Sequence, residues 1–373
     1  MYRRQIERIK KDLEKKMVFI VGPRQVGKTW LSKEIGKSFE HAVYLNYDRS
    51  QDRQIIQKEI WPQKTELLIF DELHKMKGWK TYLKGVFDTK PEHLKILVTG
   101  SARLNTFRKA GDSLVGRFFV HQLLPFSLSE LKYAKVFFDI DRFIVRGGFP
   151  EPFLAESDQD ADRWRNQYAD GLIRQDILDF ETVHNFRAIQ MVLDLLREKV
   201  GSPVSYRSIA EDVQISPTTV KRYIEIFESL SIVFRITPYS KNIARSILKE
   251  PKIYFFDTGM VSGDDGAMFE NFVALSLFKH VLGKSDETGK TFDLRYLRTK
   301  EGKEVDFAVT ENGKIIEIVE AKLKDDELNT TLKYFFKKYA LKSVQVVKEI
   351  KREKTIENIE IVSARNYLKD LYL

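Results

Sequence analysis

The chain contains no cysteine. Disulfides, thiolate zinc sites and a cysteine nucleophile are therefore excluded, and the six scattered histidines show no paired ligand spacing, so a structural metal is not expected. There is also no run of about 18 apolar residues of the kind that spans a bilayer. Met1 to Lys16 reads as a charged helix without the apolar centre of a signal peptide, so the expectation is a cytoplasmic protein with no membrane partner. What is present suits packed domains: of 373 residues 43% are hydrophobic and 31% charged. That length exceeds one compact core, and three domains are expected. A net charge of +9 suits a polyanionic partner, and equally a solvated surface rich in both Lys and Glu.

Met17 to Val21 reads as a buried strand, and the eight residues after it, Gly22-Pro23-Arg24-Gln25-Val26-Gly27-Lys28-Thr29, fit the phosphate-loop pattern GxxxxGK(S/T). A helical stretch from Trp30 to Lys37 follows, so strand, loop and helix come in the required order. Glycines at both ends let the backbone curl until its N–H groups and the helix N-terminus face phosphates. Lys28 is expected to reach the β- and γ-phosphates of ATP, and the Thr29 hydroxyl to be a ligand of Mg2+.

Leu67-Leu68-Ile69-Phe70 reads as a second strand, ending in Asp71-Glu72. This is the Walker B arrangement: Asp71 would hold magnesium through its water shell and Glu72 would act as general base on the attacking water. Val43 to Leu45 and Ile96 to Val98 supply two more short strands, the latter leading into Thr99-Gly100-Ser101. Ser101 is the candidate sensor of the γ-phosphate, with Thr99 in reserve. Arg117 is a candidate arginine finger or an intramolecular anchor, and Asp48 a weaker candidate for the same site.

The strings GPRQVGKT, LLIFDE, TGSA, LVGRFFVHQLLPFSLSEL and Gly147-Gly148-Phe149-Pro150-Glu151 together resemble a prokaryotic AAA-type ATPase family with an uncharacterised C-terminal region. The resemblance extends over nearly the whole chain. It implies an α/β fold with a five-stranded parallel core flanked by helices, and an ATPase activity. AAA-type relatives commonly place an arginine at a neighbouring subunit's nucleotide, which leaves an oligomer open here.

The ATPase core is expected over residues 1–133, and a helical lid or linker over 134–185. Within the lid, Arg146, Arg174 and Asp176 resemble family positions. Ile189, Val192, Leu193 and Leu196 recur at the helical period, and Gly201-Ser202-Pro203 stops that helix. Two helices, at Ser205 to Val213 and Thr218 to Leu230, flank an Ile215-Ser216-Pro217 turn, with Ser216 as N-cap and Pro217 at the first helical position. Strands at Ile232 to Pro238 and Lys252 to Phe256 would frame a wing carrying Lys241, Arg245 and Lys249. The segment 186–256 resembles a winged helix. On a DNA-binding reading Thr218, Thr219, Lys221 and Arg222 face the major groove; such folds also serve as protein-binding or packing modules.

The last segment, 257–373, opens on an apolar helix at Phe269 to Ala274. A strand at Phe292 to Arg298 follows, then a hairpin around Asn312-Gly313 that ends in Glu320-Ala321-Lys322. Adjacent strands would bring Asp306 beside Glu320, while the two-residue step turns Glu320 and Lys322 to one face. With Glu270 reaching in from the helix, the set resembles the PD-(D/E)xK nuclease fold, in which carboxylates hold a divalent metal and the lysine activates water. A salt-bridged strand surface is the other reading of the same residues. The expectation is thus an ATP- and magnesium-dependent ATPase acting on nucleic acid through its later domains. The alternative is an ATP-gated binding or regulatory protein whose nuclease-like domain cuts nothing.

Overall fold

The computed structural model describes residues 3–101, 114–133, 139–172, 185–240, 250–324 and 327–373, with the side chains of Ser101, Lys132, Tyr133 and Asp170 left out. The expectations placed on Arg174, Asp176, Lys241, Arg245, Lys249 and the Ser101 side chain lie outside the described residues. The chain divides into two compact units, Met1–Leu124 and Pro125–Leu373.

The first unit is built on five parallel strands, β1 (Met17–Gly22), β2 (Ala42–Asn46), β3 (Leu67–Asp71), β4 (Lys95–Ser101) and β5 (Phe118–Gln122), in the order β2-β3-β4-β1-β5. β1 and β3 are buried along their whole length, as expected of continuous apolar runs covered on both faces by helices. Phe19 anchors one face, its ring edge-on to Phe118 at 4.9 Å and tilted against Trp79 at 6.1 Å. The expected strands are all present. β5, implied by the resemblance but not read from its own residues, is the fifth.

Because β4 lies between β1 and β3, the phosphate loop and Asp71 are two strands apart. Register then brings their ends level: Gly22 pairs with Ser101 on one side of β4, and Asp71 with Thr99 on the other. All the candidate chemistry of this unit therefore collects at the carboxyl edge of the sheet, where ligands of open α/β sheets bind.

The second unit contains the stretches expected as lid, helix-turn-helix and nuclease-like domain. Helices Phe186–Glu198, Tyr206–Val213 and Pro217–Ser229 are followed by an antiparallel pair, β6 (Val233–Ile236) and β7 (Lys252–Phe255). Ser205 caps the second helix by accepting from the Ser208 N–H, and Ser216 caps the third by accepting from Thr219, with Pro217 in its first turn, as the sequence predicts.

A six-stranded sheet completes the unit: β8 (Phe292–Arg298), β9 (Glu304–Glu311), β10 (Lys314–Lys324), β11 (Ser343–Glu349), β12 (Lys354–Ile356) and β13 (Ile359–Ser363), in the order β12-β13-β11-β10-β9-β8. β8, β9 and β10 form an antiparallel meander, and β11 joins β10 in parallel. The β9–β10 turn is Asn312-Gly313 with φ of 47° and 77°, the positive values that a two-residue hairpin requires at both positions. The 24-residue helix Asp265–Thr288, capped by Asp264, packs on β8 and β10. Among the described residues no helix is long and apolar enough to cross a membrane.

Candidate functional site

In the first unit the site begins where β1 runs out. A Cβ at Gly22 would lie 2.1 Å from the Leu123 carbonyl oxygen, so only glycine lets the chain leave the strand there. Gln25 and Gly27 both take positive φ, 58° and 97°, and the chain then enters helix Lys28–Gly36. Within the loop Arg24 and Gln25 are exposed, Pro23 and Val26 are buried, and Trp30 beyond it is half-buried.

The loop is braced from behind by a residue the sequence did not single out. Arg3, 1% exposed, donates through Nη2 to the Val26 carbonyl at 2.8 Å and through Nη1 to the Leu124 carbonyl at 3.0 Å. Its guanidinium ties the loop to the strand-end segment after β5.

The Lys28 ammonium, 8% exposed, donates to the carbonyls of Gly22 at 3.0 Å and Pro23 at 2.5 Å. Burial brings its pKa down to about 8, against the pull of the Glu72 and Asp71 carboxylates. A cation so poorly solvated interacts strongly with an incoming anion.

Asp71 is the hub. Its Oδ2 accepts the Thr29 hydroxyl at 2.8 Å and the Tyr44 phenol at 2.6 Å, while Oδ1 accepts the Thr99 hydroxyl. Burial and the bond to Asp71 push the Tyr44 phenol well above its ordinary pKa, so it is a donor throughout the physiological range. A tyrosine in a short strand carries no motif, so the sequence alone gives Tyr44 no role. Thr99, held in reserve as a sensor, donates directly to the metal-binding candidate.

Glu72 follows with φ of 57°, its N–H donating to the Thr99 carbonyl at 3.2 Å. This left-handed turn separates its side chain from that of Asp71. Its carboxylate lies 3.6 Å from His74 and 3.7 Å from Lys75, and burial raises its pKa despite Lys75. Asp48 joins through the same lysine, 2.6 Å from Lys75 Nζ.

Arg117 is elsewhere. Its carbonyl accepts from the N–H of Met17, the first residue of β1, so the whole strand, roughly 17 Å long, stands between it and the phosphate loop. Its guanidinium grips Asp88 at 2.7 and 3.0 Å. A finger onto this chain's own nucleotide is corrected by that placement, and of the two roles expected for Arg117 it fits the anchor.

In the second unit Thr218, Lys221 and Arg222 are exposed on helix Pro217–Ser229, whereas Thr219 is partly buried and its hydroxyl is engaged with Ser216 at 2.8 Å. Lys221 and Arg222 make this face basic, and Glu225 lies 3.9 Å from Lys221.

The nuclease-like candidates do come together. Asp306 on β9 accepts from the Ala321 N–H at 3.1 Å, and its own N–H reaches Glu320 at 3.4 Å. Lys322 is 3.0 Å from Glu320, which also accepts from Asn329 at 2.9 Å. Glu270 enters from the long helix. Burial and then the charge of Asp306 raise the pKa of Glu270 to about 8 and of Glu320 to about 7.

At the centre stands Lys252, which the sequence offered only as a strand end. Its ammonium, 1% exposed, lies 2.8 Å from Glu304, 3.3 Å from Glu270 and 3.4 Å from Asp306. Those carboxylates overcome burial and raise its pKa far above the ordinary lysine value. The Tyr254 hydroxyl donates to Glu270 at 2.6 Å. Thus the place a divalent cation would take among these carboxylates is filled by a charge of the chain itself. Among the described residues no group of three or more histidine, aspartate or glutamate side chains is arranged to hold a metal ion. With Lys252 in place, the position among Glu270, Glu304 and Asp306 is taken by an ammonium.

Comparison with known proteins adds family-level information. Residues 14–132 match the AAA domain, and residues 137–263 and 265–367 match two domains of unknown function. An uncharacterised protein of Mycobacterium tuberculosis is 26% identical over 317 residues, covering 80% of this chain and 68% of its own length. An uncharacterised protein of Methanocaldococcus jannaschii is 24% identical over 355 residues, covering 83% and 77%. Among solved structures, a Walker-type ATPase of Pyrococcus abyssi aligns over 70% of this chain and 95% of its own, with 13% identity and a TM-score of 0.44. A point variant of RuvB from Thermotoga maritima aligns over 63% and 90%, with 14% identity and a TM-score of 0.30. The AAA-domain match, with the parallel sheet and the phosphate loop at its carboxyl edge, supports ATP binding and hydrolysis in general.

Proposed function

We propose that the chain is a magnesium-dependent ATPase whose nucleotide state is passed to a nucleic-acid-binding second unit. The observation that carries the first half is the convergence of Thr29, Tyr44 and Thr99 on the one carboxylate of Asp71, beside Lys28 and Glu72.

Thr29 and Asp71 form a hard oxygen donor set of the kind magnesium takes, and these two residues would hold the ion. The ion would neutralise charge on the β- and γ-phosphates. Loop N–H groups and the start of helix Lys28–Gly36 orient the polyphosphate. Lys28 exchanges its two carbonyl partners for phosphate oxygens. Glu72 accepts the proton of the attacking water, and its raised pKa makes it a better base than an exposed glutamate.

Phosphate release by wild type, Lys28→Ala and Glu72→Gln tests this. Falls of at least a hundredfold are expected in both variants, and equal rates in all three would sink the assignment.

Support for nucleic-acid contact is the basic outward face formed by Thr218, Lys221 and Arg222 on a capped helix of three-helix-and-ribbon geometry, which resembles a winged helix. Arg222→Glu is expected to weaken duplex DNA binding and to flatten its salt dependence. Salt-independent binding unaffected by the substitution would leave a protein-binding role.

A second reading concerns the carboxylate cluster, and Lys252 favours it: the nuclease-like domain is a binding module that does not cut. Plasmid DNA incubated with protein, ATP and Mg2+ or Mn2+ should stay intact. Cutting that disappears in Asp306→Ala would overturn this.

A further inference from the structure

The second unit carries another feature, on a part of its surface that neither reading above uses. Between the open end of β8, the start of β10 and helix Thr330–Tyr339 lies a pocket of about 610 Å³, within the range of sites that hold small organic ligands. Its wall is aromatic: Tyr239, Phe335 and Tyr339 line it over an apolar floor. The rings are held in place. Tyr239 donates its hydroxyl to the Gly313 carbonyl at 3.1 Å, and Phe335 and Tyr339 stack at 5.9 Å with 24° between planes. Tyr339 is nonetheless 51% exposed, more than a packing role requires.

The rim is cationic. Arg298, Lys300, Lys314 and Lys338 face one carboxylate, Glu301. Arg298 is shared with Glu304 at 3.4 Å, and Lys338 lies near the Tyr334 and Tyr339 rings, each 5.3 Å from its Nζ. Lys300 and Lys314 are exposed.

An apolar ligand would leave these cations without purpose, and a small inorganic anion would leave the ring faces uncovered. A planar base joined to a phosphate satisfies both walls at once, because any base has a π face to stack and its phosphate needs spaced cations. We propose that this pocket binds a nucleotide unit, with the base against Tyr239 and Tyr339, the latter backed by the buried Phe335 ring, and the phosphate on Lys300, Lys314 and Lys338. The unit is either a free mononucleotide or one residue of a single strand. The site stands on the second unit alone and does not depend on ATP hydrolysis.

The test uses the full chain carrying Lys28→Ala, so that the phosphate loop does not contribute. Fluorescence anisotropy is followed with two probes, a fluorescein-labelled oligothymidylate and a fluorescent-labelled AMP. Binding of at least one probe is expected, and which one binds names the source of the nucleotide. Tyr339→Ala should weaken that binding about tenfold while Tyr339→Trp preserves it. Lys300→Glu should weaken it at least as much, and Lys290→Glu, a charge change outside the pocket, should not. The proposal is overturned if neither probe binds. It is equally overturned if Lys300→Glu abolishes binding while Tyr339→Ala leaves it unchanged, since that would be charge attraction without a base site.

Discussion

The phenol of Tyr44 donates to the same oxygen of Asp71 that receives the Thr29 hydroxyl, at 2.6 and 2.8 Å. Two donors on one oxygen fix the rotamer of a carboxylate that is 3% exposed, and a hydrogen bond to a charged acceptor is worth about 1.5–3 kcal/mol. Tyr44→Phe removes one of them without changing ring packing. ATP hydrolysis should fall about tenfold, with a raised magnesium requirement and little change in ATP affinity. A magnesium titration of steady-state rates checks this, and an unchanged magnesium midpoint would mean that Tyr44 serves packing alone.

Arg3 makes a similar argument for the loop itself. Its guanidinium is buried and bonded to the Val26 carbonyl at 2.8 Å, so removing it frees the middle of the phosphate loop and leaves a buried carbonyl unpaired. Arg3→Ala should weaken ATP binding roughly tenfold and lower the melting temperature. Arg3→Lys, which supplies one donor instead of a fork, should recover only part of both. Calorimetric titration with a nonhydrolysable ATP analogue reads the first effect, and normal affinity in a destabilised Arg3→Ala would confine Arg3 to a structural role.

These two residues also show where sequence reading ends. Lys28, Thr29, Asp71 and Glu72 were legible because phosphate chemistry dictates residue types at fixed spacing around a strand and a turn. Asp306, Glu320 and Lys322 were legible because a hairpin turn and a period of two place them on one face. Arg3, Tyr44 and Lys252 act across sequence gaps that no local period spans: Arg3 is 23 residues from Val26, Tyr44 27 from Asp71 and Lys252 54 from Asp306. Strand β5, half-buried at four of its five positions, came only from the resemblance and not from its own residues.

Lys252, itself buried, ties Glu270, Glu304 and Asp306 together. Breaking such a group by removing the central charge is expected to cost about 3–5 kcal/mol. Lys252→Met should therefore melt at markedly lower temperature, and Mn2+ should recover part of the loss by taking up the position between Glu270, Glu304 and Asp306. Wild type should show no such rise. A wild-type melting temperature that climbs with Mn2+ as steeply as that of the variant would show that the ammonium does not block the site.

The same cluster sets a pH dependence whose sign is fixed. Glu270 and Glu320 are raised from 4.5 to about 8 and about 7 by burial and by the charge of Asp306, with Lys252 and Tyr254 facing the first and Lys322 and Asn329 facing the second. The folded second unit then binds protons more tightly than the unfolded chain. The stability these groups contribute is complete below about pH 4.5 and is lost as the pH rises through about 7 and 8. Lys252, raised in the folded state, loses its contribution only at far higher pH and does not offset this. Glu72 in the first unit shifts in the same direction, so the informative quantity is the difference between wild type and variant. Glutamine mimics the neutral acid. Glu270→Gln should match wild type near pH 5 and exceed it near pH 8.5, and calorimetric melts across that range that run parallel for the two proteins would rule out Glu270 as the titrating group.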